Sequence, residues 1–163
     1  MNFGFKTCII SLVLVVGQSS CLKIEELPDT PILKYRGFVV QGDTLGILQL
    51  SFQDGDGDVG LIPGDTTGPF QRDSLFYHNL FLDYFELESG SWVKQDVSVP
   101  FYYRIPKLDP VGQNPTLEGD IDVELVPFFD PTSPNDTFRF EAKLVDRSFQ
   151  FSNTIVSATL IKP

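Results

Sequence analysis

The chain has 163 residues, 42% hydrophobic and 13% aromatic, with 22 acidic against 12 basic side chains and a formal net charge of −10. That composition describes a folding domain rather than a disordered tail. The acidity excludes nucleic acid, whose phosphates need basic neutralisation, and charge-driven docking on an anionic membrane; it suits a soluble surface and the capture of divalent cations.

The first twenty residues differ from the rest. Met1 to Lys6 carries one basic residue and no acid, an apolar run from Cys8 to Val16 follows, and Gly17-Gln18-Ser19-Ser20 closes it before Cys21. A basic start, a short apolar stretch and small residues read as a cleaved signal peptide over 1–20. The apolar run is shorter than the roughly 20 residues that span a bilayer. Ser19 and Ser20 before Cys21 resemble a relaxed lipobox, with Gln18 where an aliphatic residue is usual. The chain has two cysteines, and Cys8 would leave with the signal, so Cys21 would be a lone thiol in an oxidising compartment unless acylated. Two or more acyl chains give lasting attachment. The expectation is therefore an exported protein, anchored to the membrane through an N-terminal lipid on Cys21, at the outer membrane or cell surface. Residues 21–31 read as the lipidated cysteine and a tether stiffened by Pro28 and Pro31. Residues 32–163 are of ordinary size for one domain.

From Ile32 onward the hydrophobic period is two. Leu48, Leu50 and Phe52 alternate with polar neighbours, as do Ile121, Val123 and Leu125, and Phe138, Phe140, Ala142 and Leu144. Each set is the signature of a strand with one face to a core and one to water. Further strands are expected over Leu33–Val40, Leu80–Glu88, Ser91–Val97, Phe101–Ile105 and Thr154–Ile161, with a hairpin turn at Glu88-Ser89-Gly90-Ser91. The fold class that follows is all-β: a single immunoglobulin-like β-sandwich of seven to eight antiparallel strands.

The most informative stretch is Phe52-Gln53-Asp54-Gly55-Asp56-Gly57-Asp58-Val59-Gly60-Leu61. Three carboxylates alternate with glycines directly after a strand, and without a cation such like charges only repel. Glycines permit the tight turns that aim successive oxygens inward, and Ca²⁺ takes six to eight oxygen ligands in flexible geometry. Asp65 falls at the twelfth position counted from Asp54, but Val59 stands at the sixth, Pro63 interrupts and no helices flank the loop, so an EF-hand is rejected. A Ca²⁺ loop of Asp54, Asp56, Asp58 and Asp65 on a sandwich is one reading. A solvated acidic turn, its side chains capping their own amides, is the other.

These residues also carry a resemblance. Phe52 to Leu61, followed by Asp65-Thr66-Thr67-Gly68-Pro69-Phe70, resembles uncharacterised Bacteroidetes-type lipoproteins with an Asp-Gly-Asp-Gly-Asp-Ile/Val-Gly motif in an immunoglobulin-like domain. Leu144 to Val156 and Phe101 to Pro106 are similar to further features of that family, with Phe149-Gln150 where Gly-Asn is usual. The resemblance implies the fold and the anchor but no activity. Asp146 and Asn153 bracket the turn between two expected strands, at a sandwich end where loops gather, and are candidate partners of the acidic loop. Alternatively Asp146 pairs with Arg147 or a neighbour and Asn153 stabilises the turn.

Little points to catalysis. His78 is the one histidine, too little for zinc, and no Gly-x-Ser-x-Gly elbow occurs, so no enzyme is expected. The expected role is a binding or accessory module of the cell envelope with a protein or glycan partner. Trp92, Tyr77, Tyr84, Tyr102 and Tyr103 suggest the alternative of a carbohydrate-binding module using surface aromatics, against ordinary packing of aromatics in strands.

Overall fold

The computed structural model describes residues 27–110 and 115–163; the expected signal peptide, Cys21 and the tether up to residue 26 lie outside the described residues. Among them, nine strands follow in chain order: β1 (Ile32–Gln41), β2 (Leu45–Asp54), β3 (Leu80–Glu88), β4 (Ser91–Lys94), β5 (Phe101–Tyr103), β6 (Leu117–Leu125), β7 (Thr137–Leu144), β8 (Ile155–Val156) and β9 (Leu160–Ile161). Every strand pairing is antiparallel, in two sheets of three and six strands. The first sheet runs β1-β2-β6. The second runs β4-β3-β7-β8, with β5 also on β3 and β9 also on β7.

This is the pairing scheme of an immunoglobulin-like sandwich. The chain forms the β1-β2 pair, crosses to β3 in the other sheet, returns to lay β6 on β2, then crosses again to lay β7 on β3. The strands between, β4 and β5, both stay with β3 rather than extending the first sheet beyond β6.

Period-two alternation builds the core. Leu48, Leu50 and Phe52 of β2 and Ile121, Val123 and Leu125 of β6 face Leu80, Leu82 and Tyr84 of β3 and Phe138, Phe140, Ala142 and Leu144 of β7 in one buried cluster. Aromatic rings join the sheets: Phe38 stacks on Phe140 with centroids 6.1 Å apart, and Tyr84, Phe101 and Phe138 surround Phe140 at 5.5–5.9 Å. Such pairs add about 0.5–1.5 kcal/mol each beyond their area burial. The β3-β4 hairpin turns through Ser89 and Gly90, both at positive φ (49° and 86°), the backbone that a two-residue hairpin turn of right-handed twist requires.

Three expected strands change. Ser91–Val97 ends at Lys94, Phe101–Ile105 ends at Tyr103, and Thr154–Ile161 divides into β8 and β9, which takes the count past eight. Ser157 explains the division. Its amide donates to the Phe140 carbonyl (2.8 Å), but its hydroxyl, not its carbonyl, accepts the Phe140 amide (2.9 Å). Ser152 repeats the device on Leu144, at 2.8 and 2.9 Å. Buried hydroxyls here complete the ladder where backbone geometry departs from a strand.

The inward phase of each sheet also carries an acid. Asp54 continues Leu48, Leu50 and Phe52 at the end of β2; Glu86 continues Leu80, Leu82 and Tyr84 near the end of β3. The strands run so that these acids occupy opposite ends of the sandwich: Asp54 lies beside Leu117 of β6, while Leu80, at the far end of β3 from Glu86, pairs with Leu144 next to the loop that reaches Asp58. Glu86 is fully satisfied. It receives the Tyr84 hydroxyl (2.9 Å), the Ser133 hydroxyl, the Asn135 amide (3.0 Å) and the Lys162 ammonium (3.2 Å). Burial pushes its carboxyl up, but these donors outweigh that and hold it below the usual carboxylate range.

Because Glu86 is 1% exposed, removing its ammonium partner strands a buried charge. Lys162→Met is expected to cost about 3 kcal/mol in urea unfolding, whereas Lys143→Met, on the exposed face of β7, should fall within about 0.5 kcal/mol of the parent.

Candidate functional site

The acidic loop begins inside the core. Asp54 is 0% exposed, and its Oδ2 accepts the amides of Asp58 (2.8 Å) and Val59 (3.2 Å), which curls residues 54–59 back over the end of β2. Gly57 turns at φ 68°, and a Cβ there would overlap the Pro115 carbonyl oxygen; a Cβ on Gly55 would overlap the Leu27 carbonyl oxygen. The Gly55 amide donates to the Pro28 carbonyl at 2.9 Å, so the end of the tether is held against the loop. The glycines serve close backbone approach as well as turning.

The loop gathers its carboxylates. Asp54, Asp56 and Asp58 each bring one oxygen to a position within 4.8 Å of the others. Oxygens that bind one Ca²⁺ at 2.3–2.6 Å lie at most about 5 Å apart, so the spacing admits a shared ion. Among the described residues, Asp54 Oδ1 and Asp56 Oδ1 are buried with no hydrogen-bond partner, and so is Oδ2 of Asp146. Asp146 follows β7, is 3% exposed, and uses its Oδ1 to accept the Gln150 amide at 2.7 Å.

Charge and burial shift these groups together. Burial, reinforced by Asp56 and Asp58, pushes Asp54 up to about 6. Burial, reinforced by Asp58 and Asp56, pushes Asp146 up to about 6 as well. Asp56 is raised by burial and then by the charges of Asp58 and Asp29, so Asp29 of the tether also bears on the loop. A donor set made only of hard oxygens fits Ca²⁺ or Mg²⁺ and not zinc or copper.

The other candidate positions divide. Asp65 lies outside the cluster: Arg147 clasps both its oxygens (Nη2–Oδ1 3.3 Å), and Oδ2 also accepts the Ile62 amide at 2.9 Å. That guanidinium holds the Asp65 carboxyl below its ordinary value, against a smaller effect of burial. The arginine answers this acid. Asn153 is engaged by β1. Its amide makes a two-way clasp on Leu33, accepting the backbone N–H and donating to the carbonyl, each at 2.9 Å, and so ties β1 to the segment before β8. Asp146 does come beside the loop, since the two residues after it both donate to Asp58.

Several residues were not legible from spacing. The Arg147 amide (3.3 Å) and the Ser148 hydroxyl (2.7 Å) donate to Asp58, docking the β7-β8 loop on the acidic loop. Asn79, 2% exposed, clasps Ile105 through both amide atoms. Arg104 holds the carbonyls of Tyr77, Ile62 and Asp65 and stacks on Tyr77 at 4.6 Å. The Asp-Arg-Ser triplet after β7 was the one available signal, since its polar residues sit directly after a strand.

The aromatics sort by environment. Tyr84 is buried in the core, and Trp92 lies under the Arg139 guanidinium at 4.5 Å. Tyr103 reaches the Glu124 carbonyl (3.3 Å). A different set forms an outer ridge: Phe70–Phe149 (5.7 Å), Phe149–Phe76 (4.5 Å), Phe76–Phe151 (6.3 Å), Phe151–Phe81 (6.1 Å) and Phe81–Tyr102 (5.1 Å). Phe149 and Phe151 are about two-fifths exposed. A separate cleft of about 720 Å³ opens beside β5, lined by Tyr84, Val97, Phe101, Tyr103, Val126 and Phe129 among others, none of them from the acidic loop. No family model, curated protein or solved structure matches the chain.

The raised carboxyls make a pH prediction for protein in EDTA. Asp54 and Asp146 hold protons up to about 6 when folded but only to 3.8 when unfolded. Between those values the folded state binds more protons, so stability is greatest near pH 4 and falls as pH rises through 6. Unfolding free energy should drop by roughly 1–3 kcal/mol from pH 4.5 to pH 7, and Asp54→Asn should flatten that slope.

Proposed function

We propose that the chain is a calcium-stabilised binding module of the cell envelope, anchored through acylated Cys21, which holds a partner at its loop end rather than transforming a substrate. The observation that carries the calcium reading is the set of buried carboxylate oxygens without donors at Asp54, Asp56 and Asp146. Each such oxygen costs free energy in proportion to its desolvation unless a cation meets it. The all-oxygen donors and their spacing favour Ca²⁺ over transition metals.

The anchor rests on the order of charge, apolar run and small residues before Cys21. The binding role is supported by the exposed aromatic ridge beside the acidic loop, since contiguous apolar surface on an otherwise acidic domain marks interaction sites. That surface favours a protein partner. The glycan reading draws less support, because Trp92 and Tyr77 have guanidinium groups over their rings.

Calcium in excess should raise the melting temperature, as any ligand of the folded state does: about 2.7 kcal/mol of added stability at a hundredfold excess over Kd. Asp56→Ala should abolish the rise, and coincident melting curves in EDTA and calcium would discard the calcium reading. Cys21→Ser should move the protein from the detergent phase to the aqueous phase on partitioning of cells that express it. Retention in the detergent phase would refute acylation at Cys21.

A further inference from the structure

We infer that the cation is shared between two loops: Asp146 of the β7-β8 loop completes the site begun by Asp54, Asp56 and Asp58, and binding locks residues 146–150 and the aromatic ridge they carry. This rests on the calcium reading above and adds a ligand and a consequence to it.

Asp146 is placed for the role by three independent features. Its side chain is buried, one oxygen caps the Gln150 amide, and the other has no partner. A residue needed only to cap the turn could be Asn, whose amide would donate to neighbouring carboxylates; a second buried anion here is costly unless a cation is shared. The two loops are already in register, because Asp58 accepts the Arg147 amide and the Ser148 hydroxyl. The adjacent cation of the chain does not neutralise the group, for the Arg147 guanidinium is committed to Asp65. Asp146 lies outside the 4.8 Å set of the three loop acids. Its approach to the ion therefore draws the β7-β8 loop inward.

That loop has reason to need fixing. Phe149 holds φ 65°, a left-handed backbone rare for an aromatic residue. Its ring links Phe70 to Phe76, so the ridge is continuous only while the loop keeps this turn. Calcium would thus set the geometry of the apolar surface without touching it.

The test is calcium titration calorimetry on the protein and on Asp146→Asn, Asp56→Asn and Asp43→Asn, with amide hydrogen exchange on the unmodified protein. Asp146→Asn should weaken calcium binding about tenfold or more, as loss of a charged ligand does. Asp43→Asn should stay within about threefold, since that acid is exposed in the β1-β2 turn at the far end of β2 from Asp54. Calcium should slow exchange of the 146–150 amides in the unmodified protein, a result that needs no variant to fold. If Asp56→Asn loses binding while Asp146→Asn keeps it and the 146–150 amides are unchanged, the shared site is wrong and the single-loop site stands. If the unmodified protein takes up no calcium, both fall.

Discussion

A carboxylate at an inward-facing strand position governs the acidic end of this sandwich. Leu48, Leu50 and Phe52 point into the core, and the same period-two phase carries Asp54 there with them. An anion in that place must find donors at once. Two amides from the following turn supply them, and to do so the chain has to curl tightly over the strand end. Gly57 meets the turn with positive φ, and Gly55 and Gly57 admit the backbones of Leu27 and Pro115 at distances no side chain would tolerate. The tether, the acidic loop and the segment before β6 are therefore arranged around one buried charge.

The opposite end shows the same problem with a different solution. Glu86 is as deeply buried, but Lys162, Tyr84, Ser133 and Asn135 surround it, and its acidity is held low. Asp54 and Asp146 have amide donors for part of their capacity, and among the described residues no ammonium or guanidinium meets them or Asp56. Arg147, in the right loop, turns instead to Asp65. One end is neutralised internally, and the other keeps buried carboxylate oxygens without donors among the described residues. The difference lies in which loop lends a basic side chain, not in the acids themselves.

The loop end is otherwise assembled by side chains that stand in for backbone. Asn153 clasps Leu33, Asn79 clasps Ile105, and Arg104 gathers three carbonyls. Ser152 and Ser157 lend hydroxyls to the β7 ladder. These polar clasps satisfy backbone groups that irregular loops would leave buried and unpaired. They hold the acidic loop, the β7-β8 loop and the aromatic ridge in one framework.

Alternation in the sequence was enough to place the main strands, the buried faces and the hairpin at Ser89-Gly90, because strand phase and turn chemistry are local properties. The spacing of Asp54, Asp56 and Asp58 likewise announced a cluster, since residues two apart around glycines are brought together by the loop itself. Sequence distance could not assign Asp65, Asp146 or Asn153. Asp65 was drawn to the loop by its count from Asp54, yet Arg147, 82 positions away, claims it. Asn153 sits as near to Asp146 in the chain as any loop partner, but its amide matches the paired donor and acceptor of Leu33, 120 positions away. The strand order that brings β7 and β2 to one end of the sandwich decided which acids meet. Local patterns determine which residues are buried; only the crossing of the two sheets determines which buried charges find a partner and which do not.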